Sequence, residues 1–252
     1  MKFLVQQQPA YVYTGGKDFD PAKPCVVFIH GSANDHSVWT LQARYFAHHG
    51  WNALAPDLPG HGKSFGDAKT TIAGATDWII SLLDNGAIKH AALVGHSMGS
   101  LVALDAAARY ATRVSQIALI GASVPMPVSD ALMDAAKNCP ADAVDMGKNP
   151  SPGTSSLMAN RRLLAQSRPG VLAKDLGACL GFQMDDATLK AVAIPSMILA
   201  GTNDLLTPAK AATALAARLG NARLVTLDGA GHSMMQETPG KVVDALKGFL
   251  RP

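Results

Sequence analysis

The sequence predicts an α/β fold in which a mostly parallel sheet is covered by helices on both faces. Short apolar runs alternate with longer helical segments along most of the chain, and this alternation is typical of parallel sheets. The runs are continuously apolar, as expected of strands that are buried on both faces. The chain has 252 residues, 48% of them hydrophobic, which suits one large domain with a sizeable core.

Six segments carry the strand pattern, each an apolar run bounded by turn residues. They cover residues 25–29, 51–55, 91–94, 117–120, 196–200 and 223–227. The run at 223–227 alternates somewhat in polarity, which favours a position at the outside of the sheet. Residues 11–13 are a candidate for an antiparallel strand at the N-terminal edge.

Four helical segments lie between or after these strands, at residues 71–84, 99–110, 208–219 and 241–250. The second of them is rich in Ala and Leu, which are strong helix formers. Thr207 and Pro208 stand where the third begins, a capping residue followed by proline at the first helical position. This pattern predicts that Thr207 caps the helix.

Residues 125–185 interrupt the alternation of strands and helices. This stretch of 61 residues contains six prolines, short helical patterns at 129–137 and 155–166, and no convincing strand. An excursion of this length is too long for a simple loop between two core strands. We therefore predict a small helical insertion, at residues 125–185, that packs over the sheet of a single domain spanning residues 1–252.

The charge balance and the apolar runs exclude several classes of function. Lys and Arg number 22 against 19 Asp and Glu, a formal net charge of +3 without a basic block, so we expect no nucleic-acid partner. The apolar stretch at the N-terminus, residues 3–5, is shorter than the roughly 7–15 residues of a secretory signal. No window approaches the roughly 18 apolar residues of a membrane span, so we expect no membrane association.

The cysteines and the absence of cofactor motifs narrow the class further. Cys25, Cys139 and Cys179 are far apart and lack metal-ligand spacing, which favours buried thiols in a reducing cytoplasm. The sequence has neither a phosphate-binding loop ending in Lys-Ser/Thr nor a dinucleotide fingerprint. We expect a cytoplasmic protein without metal or cofactor, and both a monomer and a homodimer stay open.

One motif carries a candidate nucleophile. Residues 95–99 read Gly-His-Ser-Met-Gly and match the Gly-x-Ser-x-Gly pattern. The apolar run at 91–94 precedes the motif and a helical segment follows it, which is the strand-turn-helix context that the pattern requires. Residues larger than glycine two positions before or after the serine would clash on such a turn. Ser97 is therefore the candidate nucleophile, and an ordinary helix N-cap is the alternative.

A serine hydroxyl needs a base, and the base needs an orienting carboxylate. His232 lies in a Gly-rich loop after the run at 223–227, and Asp204 directly follows the run at 196–200. Ser97, Asp204 and His232 thus each follow a candidate strand, and sites in open α/β sheets lie at the carboxyl ends of the strands. Turn formation by Asp204 is the alternative, and Asp57 is a second, weaker candidate for the acid.

Acyl transfer also needs hydrogen-bond donors for the oxyanion. Residues 30–32 read His-Gly-Ser after the run at 25–29, and Gly31 allows the backbone to turn so that the Ser32 amide faces the site. The amide of Met98, directly after the candidate nucleophile, is the second expected donor. His30 itself is expected to bond within its loop.

In combination and in this order, these motifs make the chain resemble the α/β-hydrolase superfamily over essentially its full length. The matching stretches are residues 30–39, 55–64, 95–99, 201–208 and 229–239. The resemblance implies a Ser-Asp-His hydrolase with a helical cap inserted after the sixth strand, where residues 125–185 fall. Dehalogenases and epoxide hydrolases of this superfamily use an Asp nucleophile, and Ser97 at that position counts against both. His61 matches a common loop histidine of structural character.

The expected activity is therefore that of a carboxylesterase acting on small to medium uncharged esters through an acyl-enzyme. Five of the ten methionines fall in residues 125–185, which suggests an apolar pocket. The pocket is expected to include Gly31, His96, Met126 and Met234. Cleavage of a carbon–carbon bond, hydrolysis of an enol-lactone, and a ligand-binding receptor with a vestigial triad are the alternatives.

Overall fold

The computed structural model describes residues 2–138, 163–164 and 167–252. Its strands are β1 (Lys2–Val5), β2 (Gln8–Tyr13), β3 (Cys25–Ile29), β4 (Asn52–Pro56), β5 (Ala91–His96), β6 (Val114–Ile120), β7 (Ser196–Gly201) and β8 (Ala222–Leu227). They form one eight-stranded sheet in the order β1-β2-β4-β3-β5-β6-β7-β8. β3 to β8 pair in parallel, whereas β1 and β2 pair antiparallel, so the sheet is mostly parallel, as predicted.

All six strands predicted from apolar runs are confirmed, and β8 lies at the outside of the sheet as its alternating polarity indicated. The segment at 11–13 belongs to the antiparallel β2, which is not the edge. That position is taken by β1, which hydrogen-bonds along β2. β1 has only four residues and is followed directly by glutamines, so its apolar run is too short to predict a strand.

The α-helices of the described residues lie between and after these strands in the chain. They are α1 (Thr40–His48), α2 (Ile72–Asn85), α3 (Met98–Arg109), α4 (Asp130–Asn138), α5 (Val171–Leu180), α6 (Asp186–Ala191), α7 (Ala209–Arg218), α8 (Met234–Glu237) and α9 (Pro239–Phe249). None of these helices has the length and apolar character that crossing a bilayer requires. The predicted capping of α7 by Thr207 is wrong, because Pro208 occupies the N-cap position and the Thr207 hydroxyl turns to Asp204.

Alternate residues of the central strands enter two separate cores. In β3, Val27 and Ile29 belong to one cluster, while Val26 and Phe28 belong to the other. Successive side chains of a strand point to opposite faces, so the two clusters lie on opposite faces of the sheet. All five residues of β3 are buried, which explains why the strand reads as an unbroken apolar run.

Two helices of the described residues, α4 and α5, lie within the predicted insertion at residues 125–185, which follows β6 in the chain. Arg218 of α7 joins the two ends of this insertion. Its guanidinium donates hydrogen bonds to the carbonyl oxygens of Val124 and Met184, and its Nε lies 2.6 Å from a carboxylate oxygen of Asp186. The predicted helix at 155–166 lies outside the described residues except at 163–164. The division of the chain into one domain and one cap stays a prediction.

Two glycines allow α3 to pack directly against the ends of β3 and β5. A Cβ atom on Gly95 would collide with the carbonyl oxygen of Gly99, and one on Gly99 would collide with the carbonyl oxygens of Ile29 and His30. These neighbours are backbone atoms of the buried sheet, which cannot move aside as a flexible side chain could. The clash that the sequence pattern predicted at both glycines therefore exists in the structure.

This packing makes Gly99 sensitive to the smallest substitution. We expect Gly99→Ala to lower the free energy of unfolding by about 2–3 kcal/mol, because the added methyl group forces the backbone apart. Gly177→Ala is the matched control, since a Cβ there meets no atom within 4 Å on α5. The control should be neutral or stabilise by about 0.5–1 kcal/mol. Urea denaturation of both variants measures the difference, and equal stabilities would contradict the packing argument.

Candidate active site

The three residues predicted to carry the chemistry lie at the carboxyl edge of the sheet. Ser97 directly follows β5, Asp204 follows β7, and His232 follows β8. His232 Nδ1 lies 2.9 Å from Asp204 Oδ2, and Ser97 and His232 both line one cavity. The structure thus brings the three residues to a single region, as expected for open α/β sheets.

Ser97 occupies a strained turn between β5 and α3. Its φ angle is +52° and its ψ angle −119°, a conformation that non-glycine residues rarely adopt. The Ser97 amide donates to the carbonyl of Ile120 at 2.9 Å, and the Ser97 carbonyl accepts from the Ser100 amide at 2.8 Å. The side chain makes no capping hydrogen bond to α3, which speaks against an ordinary N-cap. Its hydroxyl is available at the helix N-terminus, where the dipole favours negative charge.

The two carboxylate oxygens of Asp204 have different hydrogen-bond partners. Oδ1 accepts the amides of Leu206 and Thr207, each at 2.9 Å, so the turn that was the alternative reading does exist. Oδ2 faces His232 and also accepts the Thr207 hydroxyl at 2.6 Å. Burial raises the pKa of Asp204, but the charge of His232 and the hydrogen bonds from His232 and Thr207 outweigh it and hold the pKa below its usual value. The carboxylate is therefore ionised at neutral pH.

Thr207 is the polar contact of this site that the sequence analysis missed. Its buried hydroxyl donates to Asp204 and lies 3.3 Å from His232 Nδ1. A threonine before a proline at the start of a helix is typical of an N-cap. The sequence therefore predicted a cap at Thr207 and gave no indication of its contacts with Asp204 and His232. The spacing of three residues after Asp204 is the only sequence signal that could have indicated the contact.

His96 lies behind His232 rather than in the cavity. The two rings are 4.8 Å apart, and His96 Nε2 lies 2.9 Å from the carbonyl oxygen of His232. Burial, together with the charge of His232, lowers the pKa of His96 to about 3. The neutral ring therefore donates its Nε2–H to that carbonyl and helps to fix the His232 loop.

The loop after β3 approaches Ser97 closely because Gly31 has no side chain. A Cβ atom at Gly31 would lie 3.1 Å from Ser97 Cβ and 2.9 Å from His96 Nδ1. The next residue, Ser32, lines the same cavity as Ser97. Met98 is the first residue of α3, so its amide has no acceptor within the helix. Both backbone positions predicted as oxyanion donors thus flank the candidate nucleophile.

Three further polar residues of the neighbouring loops have structural contacts. His30 Nδ1 bonds the Gly31 carbonyl at 2.8 Å, and its Nε2 accepts the Leu58 amide at 3.0 Å. His61 Nδ1 lies 2.9 Å from the carbonyl oxygen of Pro59, and its Nε2 lies 2.8 Å from a carboxylate oxygen of Asp175 in α5. Asp57, the weaker candidate for the acid, binds His36 at 2.7 Å rather than His232.

Asp35, His36 and Asp57 are the one group within the described ranges whose ligand atoms lie close enough, within 4.8 Å, to hold a metal ion. Hydrogen bonds already engage them, since Asp57 binds His36 and the Lys63 amide, and Asp35 accepts the Ser37 amide.

The cavity beside Ser97 and His232 is small, with a volume of about 30 Å³ as the described residues outline it. Its lining includes six apolar residues, Met126, Pro127, Val128, Leu132, Leu176 and Leu206. Cys179 also lines it, and burial raises the pKa of this thiol to about 12, so the thiol stays protonated.

Only one of the two methionines predicted to line the pocket does so. Met126 lines the cavity, whereas Met234 does not: it is fully buried in the core cluster that also contains Met235. Met146 and Met158 lie outside the described residues. The cavity is nevertheless predominantly apolar, and His232 is the one histidine in its described lining.

Comparison with known proteins agrees with the fold. A model of the alpha/beta hydrolase family matches residues 26–245. The pimeloyl-[acyl-carrier protein] methyl ester esterase of Aromatoleum aromaticum is 30% identical over 86% of this chain and 94% of its own. A 2-succinyl-6-hydroxy-2,4-cyclohexadiene-1-carboxylate synthase of Salmonella paratyphi B is 31% identical over 92% of this chain and 95% of its own.

Among solved structures, the enol-lactonase of Burkholderia xenovorans LB400 is similar with a TM-score of 0.88, at 22% identity and over 99% of both chains. This likeness concerns the fold. The match of the family model, by contrast, covers most of the sequence, from β3 into α9. The chain therefore belongs to the alpha/beta hydrolase family.

Proposed function

We propose that the protein is a cofactor-free serine hydrolase that cleaves small to medium uncharged carboxylic esters through an acyl-enzyme. One observation carries the proposal. A buried, ionised carboxylate, Asp204, lies 2.9 Å from the ring of His232, and that ring shares a cavity with a serine on a strained strand-to-helix turn. A carboxylate–imidazole pair beside an exposed hydroxyl is the arrangement that activates a serine.

The chemistry follows from these contacts. Ser97 Oγ attacks the ester carbonyl carbon while His232 Nε2 takes the hydroxyl proton. Asp204 accepts a hydrogen bond from His232 Nδ1, which fixes the tautomer and stabilises the imidazolium. The tetrahedral intermediate collapses when His232 returns the proton to the leaving alcohol. Water then attacks the acyl-enzyme with His232 as base, and Ser97 is regenerated.

The developing oxyanion needs donors that are in place before the reaction. In this proposal the backbone amides of Ser32 and Met98 supply them. Gly31 supports the assignment, because its lack of a side chain lets the loop pass close to Ser97. Each such donor is typically worth about 3–4 kcal/mol of transition-state stabilisation.

The cavity supports an apolar acyl or alcohol group of modest size. Its walls, as far as the described residues form them, are mainly aliphatic, which favours an apolar substrate group. The relative from Aromatoleum aromaticum, which is named as an esterase of a methyl ester, supports ester substrates over the carbon–carbon and lactone alternatives. Hydrolysis of p-nitrophenyl acetate and butyrate distinguishes an esterase from a receptor that retains the triad without turnover.

Removing the proposed nucleophile provides the first test. We expect Ser97→Ala to lower kcat on p-nitrophenyl butyrate by about 10⁴- to 10⁶-fold, because no covalent intermediate can form. A fluorophosphonate should label the wild type once per chain and leave this variant unlabelled, as intact-mass spectrometry would show. Ser115→Ala, at the amino end of β6, should behave as the wild type. Full activity of Ser97→Ala would refute the assignment.

The Thr207 hydroxyl provides the second test. We expect Thr207→Val to lower kcat about fivefold, the equivalent of one hydrogen bond of about 1 kcal/mol. The hydroxyl helps to hold the pKa of Asp204 down, so its loss lets the carboxylate protonate at higher pH. The acidic limb of the kcat/KM profile should therefore move to higher pH.

Two variants control this experiment. Thr207→Ser keeps the hydroxyl and should restore both the rate and the pH profile. Thr213→Val removes an exposed hydroxyl from α7, which bonds only its own helix, and should change neither. An unchanged pH profile of Thr207→Val would show that the hydroxyl does not act on the acid–base pair.

The cavity wall provides the third test. We expect Met126→Ala to shift the preference towards longer acyl chains and to raise the ratio of kcat/KM for hexanoate over acetate by about tenfold. The reason is that a deeper apolar pocket buries additional methylene groups. Met133→Ala on α4 is the control, because Met133 is not among the residues that line the cavity. An unchanged ratio in Met126→Ala would place the acyl chain elsewhere.

A further inference from the structure

The loop that carries Ser32 is held by a residue of the cap. The amide of Ala33 donates a hydrogen bond of 2.8 Å to Asp175 Oδ2, although 142 positions separate the two residues. Asp175 lies in α5 and is 1% exposed. A carboxylate so deeply buried requires partners, because burying an unpaired charge is costly.

His61 is the second partner of the same oxygen. Its Nε2 lies 2.8 Å from Asp175 Oδ2, and its Nδ1 lies 2.9 Å from the carbonyl oxygen of Pro59. The Pro59 carbonyl accepts, and an ionised Asp175 carboxylate also accepts, so both ring nitrogens then carry a proton and the ring is an imidazolium. Burial lowers the pKa of His61, but the Asp175 charge and hydrogen bond outweigh it and raise the pKa above its ordinary value. The contact is therefore a buried ion pair.

The neighbouring charged groups leave this pair intact. The His30 ring lies 4.9 Å from the His61 ring, and burial lowers the His30 pKa to about 4, so His30 stays neutral. Asp57 is ionised and binds His36, and its charge adds to the stabilisation of the His61 imidazolium. No cation thus competes with His61 for Asp175 among the contacts of the described residues.

The Ser32 loop needs such an external support. Ala33 has a φ angle of +53°, in the left-handed region that favours glycine. The amide of Asn34 closes the turn by bonding the Gly31 carbonyl at 3.2 Å. A strained residue keeps its conformation only where its surroundings fix it. The Ala33 amide, directly after Ser32, is fixed by Asp175.

The cap is well anchored at this point. Arg168, just before α5, donates hydrogen bonds to the carbonyl oxygens of Ser64 and Gly66 at 2.8 and 2.9 Å. These residues belong to the same loop as His61. The start of α5 and the loop after β4 are therefore joined twice, by Arg168 and by the Asp175–His61 pair.

We propose that Asp175 is a positioning residue: through its contacts with His61 and Ala33, the cap sets the Ser32 amide in the oxyanion hole. This inference rests on the proposed function, because it requires the Ser32 amide to be an oxyanion donor. It gives the cap a role in the chemical step in addition to shaping the pocket. Asp175 itself is not in the described lining of the cavity beside Ser97.

The test uses Asp175→Asn in the full-length protein, because asparagine keeps the size of the side chain but cannot balance an imidazolium. Active sites are first counted by end-point labelling with a fluorophosphonate, and kcat on p-nitrophenyl butyrate is then expressed per labelled site. We expect kcat per site to fall about 10- to 100-fold while KM changes less than about twofold. A displaced oxyanion donor affects the transition state more than substrate binding.

Asp134→Asn is the matched control, since it makes the same change at an exposed position of the cap helix α4. It should retain the wild-type kcat per site. His61→Gln is the second variant, because its amide can still donate to Asp175 while the ring charge is removed. It should lower kcat per site in the same direction, and it keeps the proposal testable where Asp175→Asn yields little folded protein.

The outcomes separate this inference from the proposed function. A purely structural role would reduce the number of labelled sites and leave kcat per site unchanged, and this result would overturn the inference. A wild type that neither reacts with the fluorophosphonate nor hydrolyses the ester would instead refute the proposed function. Loss of kcat per site in both variants, with the control unaffected, would support the inference.

Discussion

The organisation of the site depends on one close contact, the packing of α3 against the backbone of β3. Gly99 approaches the carbonyl oxygens of Ile29 and His30 more closely than any side chain would permit, and Gly95 meets Gly99 in the same way. These contacts fix the end of β3 relative to the start of α3. The loop after β3 and the turn at Ser97 therefore lie side by side, and the strained φ angle of Ser97 follows from a helix that must begin immediately. The Ser32 loop can therefore approach the serine closely.

The described residues contain three carboxylate–histidine pairs, and the surroundings of each pair differ. Asp57 pairs with His36, Asp175 with His61 and Asp204 with His232, all at distances below 3 Å. Both ring nitrogens of His61 bond acceptors, so this ring has no free lone pair. His232, by contrast, directs Nδ1 to Asp204 and lines the cavity of Ser97. The histidine of such a pair can act as a base only where the ring nitrogen that does not bond the carboxylate faces a substrate. This requirement favours His232 as the proposed base.

Much of this arrangement could be predicted from sequence because its parts are local. The strands are continuous apolar runs, and Ser97, Asp204 and His232 each directly follow one of them. The contacts that could not be predicted either join segments far apart in the sequence or involve a residue whose local pattern predicts a simpler role. Thr207 stands where a helix cap is expected, and the Asp175–His61 pair spans 114 positions. Met234 lies next to the proposed base in sequence yet points into the core, since sequence proximity does not determine on which face of a short helix a side chain lies.

The contacts that hold α5 bear on how substrates would be selected in the proposed reaction. Arg218 joins both ends of the insertion to α7, Arg168 joins the start of α5 to the loop after β4, and Asp175 joins α5 to the Ser32 loop. A displacement of α5 as a rigid body would break several charge-assisted hydrogen bonds at once, and such bonds are the stronger ones. It would also expose the strained turn at Ala33. Changes in specificity are therefore expected to arise from the size of side chains such as Met126 and Leu176 in the cavity wall, while the position of α5 stays tied to the chemistry.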